Sequence, residues 1–430
     1  MTSVVSCVHS TAQTTASQHS SLPPKSGHSS SCGLDAVAWR RATQRGRGAA
    51  LAAPRHTLFV LPFARSQQVG TNERRSGEGL TMQQQQPAKC ALRALLLVRR
   101  LAGHLRDAPG RRHESKLNQP LSGNDCPRPG GIATFMRLPY AASAHGLDVA
   151  VYGVPFDCGT SNRSGARFGP RQVRCESSLL RPHNMATRAA PYDSLQVADV
   201  GDVPVTMYDT QRAMGDIERF VRGLLSHGCV PVGIGGDHTT TYPVLRAIKE
   251  KHGPVGLLHL DAHADVNPTM MHCEVAHGTP FYRAVQEGLL DTRRVVQIGL
   301  RGSVYGPNEE RWSLQHGFHI IQAQECWFKS MVPIMETKVL PVLGAGPVYI
   351  SFDIDCLDPA FAPGTGTPEI GGLTSAQALE VIRSCKGLNI VGADLVEVSP
   401  PYDTSGNTAL TAANLIFEMI CVLPGVKNLD

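Results

Sequence analysis

The chain has 430 residues, of which 41 are Lys or Arg and 36 are Asp or Glu, for a formal net charge of +5. All of that excess lies in the leader: residues 1–127 carry 17 basic and 6 acidic side chains, leaving 24 and 30 for residues 128–430. A mildly acidic body argues against a nucleic-acid surface, and no apolar run reaches the ~18 residues that a membrane-spanning helix needs.

Residues 1–81 are rich in Ser, Gly, Arg and Gln, without sustained apolar periodicity, and are predicted to be disordered. From Met82 to Arg106 there is no acidic residue, and Lys89, Arg93, Arg99 and Arg100 punctuate Leu92, Leu95, Leu96, Leu97 and Val98. A basic, acid-free amphipathic stretch is the pattern of a mitochondrial presequence. Presequences act at the N-terminus, so translation is expected to start at Met82. Residues 1–81 are then a gene-model extension, and 82–127 the presequence and linker. N-terminal sequencing of the precursor decides this, and a start at Met1 would overturn it. The plainer alternative is a basic tail without targeting function.

From Asp148 the pattern becomes α/β. Strands are predicted at 148–154, 195–199, 229–234, 255–260, 294–299, 318–321, 348–353 and 389–395. Ile217, Phe220, Val221, Leu224 and Leu225 fall on one helical face, with Gly228 as the stop. Thr374 and Gln377 form a capping box, and Asn407 to Met419 forms a closing helix. Residues 128–430 therefore predict one doubly wound, three-layer α/β/α domain around a mainly parallel sheet of about eight strands. The twelve cysteines are scattered without a CxxC pair, which predicts reduced thiols and no thiol mechanism.

Three of these strands end in chemistry. One leads into Gly235-Gly236-Asp237-His238, a second into Asp261-Ala262-His263-Ala264-Asp265, and a third into Asp353-Ile354-Asp355. In the latter two, polar residues recur at every second position, the period at which extended backbone returns side chains to one face. Carboxylates at the ends of buried strands, with no basic residue beside them, need a cation. His238, Asp261, His263, Asp265, Asp353 and Asp355 supply four carboxylates and two imidazoles, enough for two divalent ions. Oxygen-rich ligation without thiolate favours Mn over Zn. A solvated polar strand face is the ordinary reading of any one such run, but three together are not ordinary. Asp237 and Asp358 are out of phase and are read as structural, His259 as a satisfied structural histidine, and Cys356 as core. No Lys-Ser/Thr follows the glycines at 233–236, so they do not form a phosphate loop.

Gly236-Asp237-His238, the Asp261–Asp265 run and Ser351-Phe352-Asp353-Ile354-Asp355-Cys356-Leu357-Asp358-Pro359 resemble the signatures of the ureohydrolase family, the arginases and agmatinases. Ala362–Glu369, Ser161-Asn162-Arg163 and Glu397–Asp403 are similar to the agmatinase branch and its mitochondrial members. The resemblance spans roughly residues 130 to 425. It implies an arginase/deacetylase-like fold, two Mn²⁺ per subunit, and hydrolysis of a guanidino group to urea and a primary amine. It also implies a trimer or hexamer in the mitochondrial matrix. By the same resemblance Glu397 binds the guanidinium, His277 shuttles protons, and Asp265 passes a proton to the departing amine. The substrate is then agmatine, giving putrescine, or a linear guanidino acid such as 4-guanidinobutanoate. Arg163 and Arg167, in the loop after the first strand, either form structural ion pairs or, for Arg163, recognise a substrate carboxylate. Two rival readings are a catalytically silent regulatory protein on this fold and a single-Zn deacetylase-like amide hydrolase.

Overall fold

The computed structural model describes residues 117–306 and 308–429. The expectations for residues 1–81, and for the presequence up to residue 116, lie outside the described residues. All eight predicted strands form: β1 Val149–Gly153, β2 Val197–Asp202, β3 Val230–Ile234, β4 Val255–Leu260, β5 Leu290–Leu300, β6 His319–Gln322, β7 Pro347–Asp353 and β8 Asn389–Val396. They build one sheet in the order β2-β1-β3-β8-β7-β4-β5-β6, and every neighbouring pair is parallel.

Parallel neighbours require crossovers, and helices supply most of them: α1 Gly169–Ser177, α2 Thr210–Ser226, α3 Thr241–His252, α4 Pro280–Gln286, α5 Asn308–Gln315, α6 Ser375–Ser384 and α7 Asn407–Cys421. α2 buries Ile217, Val221, Leu224 and Leu225, as the periodicity predicts, and Gly228 beyond it takes φ +88°. In α6 the capping box is present, with Gln377 N–H on Thr374 Oγ1 at 3.2 Å and Thr374 N–H on Gln377 Oε1 at 3.0 Å.

β4 and β7 are buried on both faces, with Leu257, Leu258, Leu260, Ile350 and Phe352 fully enclosed. Burial of each such side chain contributes about 1.5–3 kcal/mol, which fixes the strands and hence the position of whatever follows them. β3 and β4 are consecutive in the chain but lie apart in the sheet, with β8 and β7 between them. Four adjacent central strands therefore present their carboxyl ends side by side at the rim where α/β proteins bind ligands.

The body extends N-terminal of residue 128. Asn118 N–H donates to Gln196 Oε1 at 2.6 Å, and Leu121 N–H to Arg137 O at 3.1 Å. Among the described residues no helix is long and apolar enough to cross a membrane.

Candidate metal centre and active site

β3 runs out at Ile234, and Gly235-Gly236-Asp237 turns the chain into a short 3-10 helix that begins at His238. The backbone passes so close to Phe156 O here that a Cβ on Gly236 would overlap it. Asp237 caps the turn: its Oδ1 accepts Thr239 N–H at 3.0 Å and its Oδ2 accepts Gly159 N–H at 2.7 Å. Burial and the nearby Glu397 push its carboxyl up to about 7.

The alternation argument for the other two runs is corrected by the backbone. β4 ends at Leu260 and β7 at Asp353, so neither run is a strand. Asp261 Oδ1 instead accepts His263 N–H at 2.6 Å, and Asp265 sits in the left-handed region at φ +53°. Asp353 Oδ1 accepts Asp355 N–H at 2.9 Å and caps a 3-10 turn over Ile354–Cys356. Asp side chains closing tight turns on their own backbone gather the carboxylates, not the pleat.

The gathered atoms form two lobes that share Asp261. In the first, His238 Nδ1 faces Asp265 Oδ2 at 2.9 Å, Asp261 Oδ2 at 3.1 Å and Asp353 Oδ2 at 3.3 Å. In the second, His263 Nδ1 faces Asp355 Oδ2 at 3.2 Å and Asp261 Oδ1 at 3.4 Å. His259 also reaches Asp261 Oδ2, at 2.8 Å. Its Nδ1, however, accepts Gln297 Nε2–H at 3.0 Å, so its Nε2 carries the proton and donates to the carboxylate. His259 thus orients Asp261 and offers no lone pair to an ion, in keeping with its structural reading.

Charge and tautomer argue that this cluster is built for cations. Asp394, buried, accepts Ser351 Oγ–H at 2.7 Å, Tyr349 O–H at 2.8 Å and Thr241 Oγ1–H at 2.8 Å. With the Ser351 hydroxyl proton committed, its 2.9 Å contact with His238 is a bond donated by Nε2–H. His238 Nδ1 then points at three carboxylate oxygens; burial alone would lower this imidazole, but hydrogen bonds to Asp261, Asp265 and Asp353 raise it well above its ordinary value. Carboxylates gathered this closely need a positive charge among them, a proton on Nδ1 or a metal ion in its place. The carboxyls register the same strain. Burial, then the charges of Asp355 and Asp261, push Asp353 well above its usual range, and burial with Asp261 raises Asp355. Burial also opposes ionisation of Asp261, but His259, His238 and His263 outweigh it and hold that carboxyl well down. Four carboxylates, two imidazoles and no thiolate suit a pair of hard or borderline divalent ions.

Beside the cluster lies a second constellation. Glu397 follows β8 at φ +65°, its N–H on Gly236 O at 2.8 Å. Left-handed backbone at Asp265 and Glu397 costs about 1–2 kcal/mol each, strain of a kind that concentrates at functional positions. Glu397 Oε1 accepts the backbone N–H of His238 at 3.0 Å and faces His277 Nδ1 at 3.3 Å. Glu397 Oε2 is buried without a partner, against Gly366. His277 Nε2 accepts Ser161 N–H at 3.3 Å and meets Ser161 Oγ at 2.7 Å. Burial alone would lower His277, but the Glu397 hydrogen bond and charge prevail and raise it to about 9.

Arg167 is paired with Asp157. Arg163 has no carboxylate within ion-pair distance among the described residues; its guanidinium lies 5.2 Å from the centre of the Tyr402 ring. Asp358 is structural, accepting backbone N–H from Ala360, Gly371 and Gly372, and Cys356 is fully buried. Sequence reasoning missed Ser351, Asp394, Gln297 and Arg301. Arg301 sends its guanidinium into six backbone carbonyls, including Asp355 O at 2.7 Å and Glu369 O at 2.7 Å. It thereby ties the second lobe to the 366–370 loop. Nothing in the local pattern around 301 marks it, because its partners are main-chain atoms.

An all-parallel sheet with a bilobed His/Asp cluster at its central rim defines a metallohydrolase of the arginase/deacetylase architecture. The arginase family signature matches residues 147–421, and the chain belongs to that family. It is 59% identical to a guanidinobutyrase of Pseudomonas aeruginosa over 73% of this chain and 99% of that one. It is 57% identical to the mitochondrial agmatinase of Gallus gallus over 79% and 99%. Among solved structures it superposes on proclavaminate amidino hydrolase from Streptomyces clavuligerus with a TM-score of 0.65, 40% identity, and coverage of 69% and 98%. The Trypanosoma cruzi formiminoglutamase solved with Mn²⁺ superposes with a TM-score of 0.59 and 25% identity, over 65% and 95%.

Proposed function

We propose that the chain is a binuclear Mn²⁺-dependent hydrolase of the agmatinase and guanidino acid hydrolase type, releasing urea and a primary amine. The observation that carries this reading is the convergence of buried His238 Nδ1 with three carboxylate oxygens, beside the unpartnered Glu397 Oε2. His238, Asp261, His263, Asp265, Asp353 and Asp355 would hold the two ions. When bound, two such ions supply a hydroxide nucleophile at neutral pH.

The side chains do the rest. Glu397 Oε2 takes the guanidinium by a charge-assisted hydrogen bond and sets its carbon for attack, making the reaction effectively unimolecular. Asp265 accepts the nucleophile's proton and gives it to the leaving amine. His277, in contact with Ser161, exchanges protons between the site and solvent. Residues 128–430, with the segment from 117 that packs on them, form the catalytic domain, which works in the mitochondrial matrix as a trimer or hexamer. The mitochondrial relative and the basic segment from Met82 support that location.

The substrate is agmatine or a linear guanidino acid such as 4-guanidinobutanoate, and the uncompensated Arg163 on the rim favours the acid. The test is urea release from Mn²⁺-loaded protein offered agmatine, arginine and 4-guanidinobutanoate. Turnover of the acid, lost in Arg163→Gln while any agmatine turnover stays, supports the reading. Absence of urea from every guanidine sinks it.

A further inference from the structure

His277 is only 7% exposed, so a ring that trades protons with solvent needs a neighbour to complete the path. On one side the path is closed. Nδ1 faces Glu397 Oε1 at 3.3 Å, and Glu397 is buried. A proton bound for solvent therefore leaves from Nε2. The atom standing there is Ser161 Oγ, 2.7 Å away, on a residue that is exposed. Among the described residues this hydroxyl has no other hydrogen-bond partner, which leaves its outer side to water.

The loop after β1 holds the hydroxyl in place. Gly159 O accepts the His277 N–H at 3.1 Å, and Ser161 N–H reaches Nε2 at 3.3 Å, so the loop clasps both the backbone and the ring of His277. Gly159 N–H is itself fixed on Asp237 Oδ2 at 2.7 Å. Beyond Ser161, Asn162 Nδ2–H and Arg163 N–H both donate to Gly366 O, at 3.0 and 3.3 Å. The loop is thus pinned on either side of Ser161.

A backbone N–H only donates, so it serves Nε2 only while the ring is neutral. A hydroxyl donates or accepts. Ser161 Oγ can give its proton to the neutral ring and take one from Nε2–H of the charged ring without either residue moving.

We infer that Ser161 is the positioning residue through which His277 exchanges protons with solvent. In the outward step Oγ takes the proton from Nε2 while its own proton passes to a water. One proton leaves and the hydroxyl is regenerated, and the reverse order returns it. The inference rests on the proposed hydrolysis.

The test uses Mn²⁺-loaded full-length protein and the guanidine it hydrolyses. Ser161→Ala should lower kcat about 10²-fold, with KM and Mn²⁺ content unchanged. Imidazole added at fixed pH and ionic strength should restore much of that loss and leave wild type unaffected. Ser161→Thr, which keeps a hydroxyl, should keep most of the wild-type rate. A wild-type kcat in Ser161→Ala would overturn the relay, and so would a loss that imidazole does not lift and threonine shares. A second measurement needs no turnover. In chelated protein, diethyl pyrocarbonate should label His277 several-fold faster in Ser161→Ala than in wild type, read by peptide mass spectrometry. Equal labelling would remove the Ser161–His277 contact whatever the substrate. A labelling difference in protein that releases no urea from any guanidine would instead overturn the hydrolysis, and the relay with it.

Discussion

The buried aspartates at the β1–β2 edge and at the central rim are neutralised in opposite ways. At the β1–β2 edge Asp199 is held by Arg174, which also reaches Asp202 at 2.5 Å, so the countercharge is part of the chain. At the central rim Asp261, Asp353 and Asp355 are equally buried, yet among the described residues they pair with His238 and His263 and with no arginine or lysine. The first arrangement is complete on folding. The second carries no arginine or lysine of its own, as the proposed metal centre requires if positions are to stay open for water and substrate.

The largest effect should come from breaking the second arrangement. Asp261→Asn removes the carboxylate shared by both lobes, so bound Mn²⁺ and urea release should vanish together. Metal analysis and a urea assay on the same sample check this, and urea release without metal would refute it. Glu397→Gln sharpens the distinction by separating ion binding from chemistry. It should lower kcat/KM by about 10²–10³-fold while Mn²⁺ content stays near wild type. Arg174→Met breaks the first arrangement and should destabilise the fold by about 3–5 kcal/mol. Denaturant melts should give the same loss with and without chelator, because no metal is involved.

Much of this was legible because the signals were local. Continuous apolar runs marked β4 and β7, and the alternating Asp and His residues beyond them named the cluster. The geometry behind that alternation was not legible. Asp-closed turns and a pleated strand both bring i and i+2 together, and only the backbone, through the φ of Asp265 and the 3-10 turn at Asp353, distinguishes them. The Ser351–Asp394 support for His238 joins two strands far apart in sequence, so no spacing rule reveals it. Arg301 is harder still, since six carbonyl oxygens leave no pattern of residue types.

That residue supplies the next test. Arg301→Lys keeps the charge but loses the planar fork, so the second lobe should loosen and Mn²⁺ affinity fall about 10–100-fold. Isothermal titration would read this as one weakened site of two. The smallest effect concerns His277 in chelated protein. Its folded value of about 9 lies above the ordinary 6.5, so folding favours its proton. The resulting stabilisation is full below pH 6.5 and disappears as pH rises through 9. His277→Asn should flatten the stability profile across that window, and an unchanged slope would remove the His277–Glu397 pair from the account.

The central claim is that the rim carboxylates exist to hold two ions. Counting Mn²⁺ per chain by elemental analysis, after loading and exhaustive dialysis, tests it most directly. Two per chain are expected, and none in Asp261→Asn. A wild-type value of one or zero would contradict it.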